Sequence, residues 1–127
     1  MKTYYAVGLA MLAGFGLGAI ADQGLHAQAQ PPVYTVAEID VTDQATYSTF
    51  AQKAQAAIKA AGGKILAAGS KTTSIEGDPP KSRVVIQQWA SLEQYQAYRN
   101  SAAFKEVLPL RDKAAKFRSF AVEGLPQ

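Results

Sequence analysis

The chain has 127 residues, 13 Lys and Arg against 10 Asp and Glu, a formal net charge of +3, no Cys and a single His, His26. That length holds one small domain once a targeting segment is set aside, and the missing thiols exclude disulfides, cysteine nucleophiles and thiolate metal sites. The positive charge is modest, scattered and without a recognition motif, so no nucleic-acid partner is expected.

Residues 1–29 have the layout of a secretory signal peptide. Lys2 supplies a short positive start, and Tyr4 to Ile20 is uncharged and rich in Ala, Leu, Val and Gly. Small-x-small sites follow at Ala19-Ile20-Ala21 and Ala27-Gln28-Ala29. Cleavage near Ala29 leaves a mature domain of residues 30–127. The alternative is a retained membrane anchor, because the apolar run approaches the roughly 17–25 residues that a span requires. Gly8, Gly14, Gly16 and Gly18 weaken it as a helix. Both readings export the domain, periplasmic or secreted, and only the anchor gives it a membrane partner. Cleavage would also remove His26, leaving neither imidazole nor thiol.

Val33 to Val41 is a β-branched run with strand character. Thr42 or Asp43 then caps a helix in which Tyr47, Phe50, Ala51, Ala54, Ile58 and Ala61 share one face. Gly62-Gly63 ends it, one of them supplying the left-handed cap. Lys64 to Ala68 and Thr72 to Ile75 read as a second strand, bent or bulged at Gly69. Gly77-Asp78-Pro79-Pro80 is a turn, and Arg83 to Trp89 a third strand. Ser91 caps a helix through Arg99, with Leu92, Tyr95 and Tyr98 on one face. After Asn100, Ser101 recaps a continuation, in which Phe104, Leu108, Arg111 and Ala115 are neighbours. Pro109 predicts a kink or a break there. Phe117 to Glu123 is a fourth strand, closed by Gly124.

The order β-α-β-β-α-β is that of a ferredoxin-like α+β domain, a four-stranded antiparallel sheet with two helices on one face. Each helix is expected to cross between parallel neighbours. On the first strand Val33, Thr35, Ala37, Ile39 and Val41 face one way, and Tyr34, Val36, Glu38 and Asp40 the other. Both faces carry apolar residues, so the face without helices is expected to meet a second copy in a homodimer.

Several segments together resemble the bacterial domain-of-unknown-function family 1330. They are AEIDVTD (Ala37 to Asp43), Gly62-Gly63, SIEGDPP (Ser74 to Pro80), RVVIQQWAS (Arg83 to Ser91), YRNSAAF (Tyr98 to Phe104), Leu110-Arg111 and VEG (Val122 to Gly124). The resemblance covers Val33 to Gly124 and implies a dimeric α/β barrel of ferredoxin-like protomers. It also implies kinship with antibiotic-biosynthesis monooxygenase-like domains, some of them cofactor-free enzymes, but no established activity. The family pattern usually has Trp then Tyr where this chain has Tyr98 and Arg99, and Tyr where it has Phe104. A role that needs that phenolic hydroxyl does not carry over. The family's Arg is present as Arg111.

Without mature His or Cys, only oxygen ligands remain, which suit Mg or Ca. Glu76-Gly77-Asp78 falls short of a calcium loop and reads as a solvated turn, so no metal and no cofactor are expected. Glu38 and Asp40 stand about 7 Å apart on one strand face. In a desolvated site one could act as a base; the simpler reading pairs them with Arg83 or Arg118, or leaves Asp40 at an exposed strand end. Arg111 shares a stripe with Phe104 and Leu108, where an inward Arg needs a carboxylate partner or an anionic ligand. Trp89, Tyr95 and Tyr98 either line a pocket between sheet and helix or are plain core. Ser101 has no His beside it and reads as a helix cap rather than a nucleophile. A ligand pocket would draw on Glu38, Asp40, Arg83, Trp89, Tyr98, Ser101 and Arg111. The expected protein is thus an exported dimeric barrel of unknown activity that binds a small molecule. The alternatives are a cofactor-free monooxygenase- or isomerase-like enzyme, or a non-catalytic structural dimer module.

Overall fold

The computed structural model describes residues 30–126. The apolar segment read as an export signal, His26 included, lies outside them. In chain order come β1 (Val33–Val41), α1 (Gln44–Ala60), β2 (Lys64–Gly69), β3 (Arg83–Trp89), α2 (Leu92–Arg99), α3 (Ala102–Ala114) and β4 (Ala115–Glu123). The four strands form one sheet in the order β2-β3-β1-β4. Every hydrogen-bonded pair in it is antiparallel. The fold is ferredoxin-like. The parallel strands that each crossover joins are not neighbours, as the sequence reading had them. β3 lies between β1 and β2, and β1 between β3 and β4.

Local chemistry explains the helix ends. Asp43, not Thr42, caps α1: its carboxylate accepts from the Thr46 amide at 3.1 Å and the Thr46 hydroxyl at 2.7 Å. At the other end the Gly62 amide donates to the Lys59 carbonyl at 3.1 Å and the Gly63 amide to that of Ile58 at 2.9 Å. This is a Schellman closure, and Gly62 takes its left-handed position with φ of +94°. Gly63 is needed for a different reason. A Cβ there would stand 2.6 Å from the Trp89 indole and 2.8 Å from Ile58.

Two expectations for the second strand are corrected. The second strand ends at Gly69, and Thr72 to Ile75 are not strand. Ile75 is 93% exposed; the β-branched run there has no neighbouring strand to pair with, and propensity alone does not make a ladder. The irregularity in β2 falls between Ile65 and Ala67, not at Gly69. Pro109 does not break α3, which runs from Ala102 to Ala114. The amide bond that Pro109 forgoes lies on an exposed turn where water can serve the freed carbonyl. The buried positions of α3 are Phe104, Val107 and Ala114, and Leu108 and Ala115 of the expected stripe also pack in or against the core. Ala115 is the first residue of β4, so helix passes to strand with no loop. The Ala114 carbonyl is held there by the Thr42 and Asp43 amides at 2.9 and 3.0 Å, which ties the junction to the start of α1.

The core lies between the helices and one face of the sheet. Ile39 and Trp89 from the strands meet Tyr47, Phe50, Ala54, Ile58, Tyr98, Phe104 and Val107 from the helices. Trp89 is 1% exposed. It stacks on Tyr98 at 5.2 Å between ring centroids, and Tyr98 meets Phe104 edge-on at 5.5 Å. Register puts Tyr34, Val36, Ile86, Phe120 and Val122 on the opposite face, which no helix among the described residues covers. There Phe120 is 48% and Val122 55% exposed.

Candidate functional site

Between α1, α2 and the helix-facing side of the sheet the packing leaves a cavity of about 90 Å³. That is room for several waters or a few heavy atoms. Its wall is largely apolar, with Phe50, Ala54, Ile58, Val85 and Phe117 among the lining residues. The polar groups are few: Thr35, Gln55, Gln87, Ser119, three tyrosines (Tyr47, Tyr95, Tyr98) and three arginines (Arg83, Arg99, Arg111). A concave apolar space with a few convergent polar groups is the usual form of a small-molecule site. An outer cleft of about 670 Å³ adjoins it and shares Tyr95, Arg99, Arg111, Phe117 and Ser119 with the inner wall.

The period of two in β3 builds one wall, because Arg83, Val85, Gln87 and Trp89 fall on the helix-facing side. Gln87 is the informative member, a polar residue at a core position. Its Oε1 accepts from the Trp89 indole at 3.0 Å and the Thr35 hydroxyl at 3.2 Å. The indole can only donate, so the amide orientation is set and its NH₂ is left as the donor end. Arg83 sits 5.4 Å over the Tyr47 ring, and its buried Nε has no hydrogen-bond partner.

The other wall comes from α2 and α3. Arg99 donates to the Tyr95 hydroxyl at 3.1 Å, one helical turn away, and lies 4.4 Å over the Phe104 ring. Arg111 stacks 3.7 Å over Phe117 and stands 5.8 Å from Phe104. Burial, and then repulsion from Arg99, lowers the Arg111 pKa below the usual arginine value. Burial pushes the Tyr98 hydroxyl up, so it holds its proton more firmly than a free phenol.

Of the residues singled out in the sequence, Arg83, Tyr95, Tyr98 and Arg111 line the cavity. Trp89 supports it from behind through Gln87 and Tyr98. Glu38 and Asp40 do not reach it. They lie on the sheet face away from the helices, where Glu38 forms a salt bridge with Arg118 across the β1–β4 pair. Ser101 caps α3, accepting from the Phe104 amide at 3.2 Å and donating to the Tyr98 carbonyl at 2.6 Å. Sequence reasoning missed Arg99 and Gln87 as lining residues. Arg99 is a turn from Tyr95, and Gln87 interrupts an apolar strand face; both were readable signals. Arg111 was expected to choose between an ion pair and a ligand, and among the described residues it forms no salt bridge. No group of three His, Cys, Asp or Glu that could hold a metal ion stands together among the described residues.

The fold recurs in solved structures. The chain is similar to the RPA0582 protein of unknown function from Rhodopseudomonas palustris, with 13% identity and a TM-score of 0.65 over 77% of this chain and 85% of that one. It is similar to SnoaB, a cofactor-independent oxygenase from Streptomyces nogalater, at 14% identity and TM-score 0.57 over 76% and 96% of the two chains. A candidate antibiotic biosynthesis monooxygenase from Caulobacter crescentus aligns at 15% identity and TM-score 0.53 over 76% and 92%. At such identities the likeness concerns the fold. Among curated proteins none matches the chain. Residues 32–125, nearly all of the sheet-and-helix domain just described, match the family Domain of unknown function (DUF1330), and the chain belongs to it.

Proposed function

We propose that this is an exported small-molecule-binding protein that works as a homodimer, with one ligand cavity in each protomer between the helices and the sheet. The observation that carries the reading is the cavity wall. It is apolar for most of its area, yet it holds three arginines and three tyrosines and, among the described residues, no carboxylate or imidazole. Such a wall can recognise and orient a ligand. It has no group suited to take a proton at neutral pH, and the Tyr98 hydroxyl is moved away from that role. Binding is therefore favoured over the oxygenase reading, which rests on likeness of fold to SnoaB. The uncovered apolar sheet face supports the dimer. Export is supported by the charge and apolar pattern of residues 1–29.

Native mass spectrometry of the protein purified from its own host tests both halves. The expected result is a dimer mass carrying a releasable small molecule. Ala51→Leu, which adds bulk to the cavity wall, is expected to abolish that retention and preserve the dimer. A ligand-free protein that also takes up no apolar probe, in wild-type form, would remove the binding reading.

A further inference from the structure

Three arginines line the inner cavity, and no carboxylate shares its wall among the described residues. Arg99 and Arg111 also line the outer cleft, so they stand in the wall that the two spaces share. Both lie over aromatic rings. Arg111 lies 3.7 Å over the Phe117 ring and Arg99 4.4 Å over Phe104. Stacking uses the face of a guanidinium and leaves its N–H edge available in the plane. Arg99 uses one N–H on the Tyr95 hydroxyl. The Arg111 side chain makes no hydrogen bond or salt bridge among the described residues. Arg99 and Arg111 are two half-buried cations that repel each other. Asp112, which also lines the outer cleft, offsets this in part without forming a salt bridge with either. The remaining repulsion is costly unless something neutralises it. A planar anion bridging the two edges would do so, since the guanidinium fork matches two carboxylate oxygens.

We infer, on the strength of the cavity-binding reading above, that Arg99 and Arg111 form a carboxylate clamp at the cavity mouth, and that the ligand is a small monocarboxylic acid whose apolar or aryl body enters the inner space. The walls set the class. An anion at the mouth has Phe50, Ile58 and Val85 among the cavity lining ahead of it. A short alkyl or aryl group fits that surroundings, and a free, fully hydrated phosphate does not.

The test is calorimetric titration of the purified protein with butyrate and benzoate, each against its neutral amide, and with inorganic phosphate. At least one acid is expected to bind about tenfold or more tightly than its amide. Arg99→Gln and Arg111→Gln should each remove most of that advantage, so that acid and amide bind nearly alike, and Arg111→Lys should restore part of it. Acid and amide binding equally would overturn the clamp and leave the cavity reading standing. Phosphate binding as tightly as the acids would overturn the assigned ligand class. If neither acids nor amides bind, clamp and cavity reading fall together. The wild-type acid-to-amide ratio decides the matter even if a variant fails to fold.

Discussion

Single side chains hold this domain's turns in place, and their effects are separable. Ser101 bridges two helices, accepting from the Phe104 amide and donating to the Tyr98 carbonyl. Ser101→Ala is expected to lower stability by about 1 kcal/mol, read as a lower urea midpoint at unchanged slope. Asp43 behaves differently because it titrates. Hydrogen bonds from the Thr46 hydroxyl and amide hold its pKa below the ordinary value of 3.8. A lowered folded pKa means that the unfolded chain binds the proton first as pH drops. Its contribution is therefore complete above 3.8 and is lost as pH falls below that value through the folded pKa. Asp43→Asn should flatten this part of the acid limb in a series of urea midpoints against pH. An unchanged limb would show that the cap carries no such linkage. Both caps were legible as residue types before a helix; only the structure chose Asp43 over Thr42, because the choice depends on which side chain reaches the Thr46 amide.

At the scale of elements, the glycine pair after α1 shows two constraints in adjacent positions. Gly62 is required by a backbone angle, and Gly63 by the Trp89 ring against it. Gly62→Ala should cost about 1–2 kcal/mol through the left-handed conformation. Gly63→Ala should cost about 1–3 kcal/mol through overpacking. Trp89→Phe, which shortens the ring, should recover part of the loss when combined with Gly63→Ala and none when combined with Gly62→Ala; equilibrium unfolding of the three single and two double variants reads this. The glycines were evident as a helix stop. That one of them faces Trp89 was not, since the two residues are far apart in sequence. The same limit explains Thr72 to Ile75. Local pattern suggested strand, but no partner strand lies beside them.

For the whole molecule, the decisive feature is a sheet used on both sides. One face holds the helices and the cavity. The other presents Tyr34, Val36, Ile86, Phe120 and Val122 with no cover from the described residues. If a second copy covers it, Val36→Lys with Phe120→Lys should give a folded monomer by sedimentation where the wild type is a dimer at low micromolar concentration. The substitutions lie away from the core, so circular dichroism should not change. A monomeric wild type would strike the dimer from the proposed function. The Glu38–Arg118 pair lies on this same face; the Arg118 side chain is mostly exposed, and such a pair adds little to protomer stability.

The sequence by itself determined the order of elements, the ferredoxin-like class, the faces of β1 and β3, and the absence of Cys with a single His. These follow from periodicity, turn chemistry and composition, all local quantities. Tertiary structure alone decided which candidates share a site. It sent Glu38 and Asp40 to the face away from the helices. It brought Arg99, on α2, and Arg111, on α3, to a common Phe104 ring and into the wall of the cavity that Arg83 lines from β3. Chain neighbours are separated by strand alternation and distant residues are joined by packing, so a site of this kind exists only once the helices lie on the sheet.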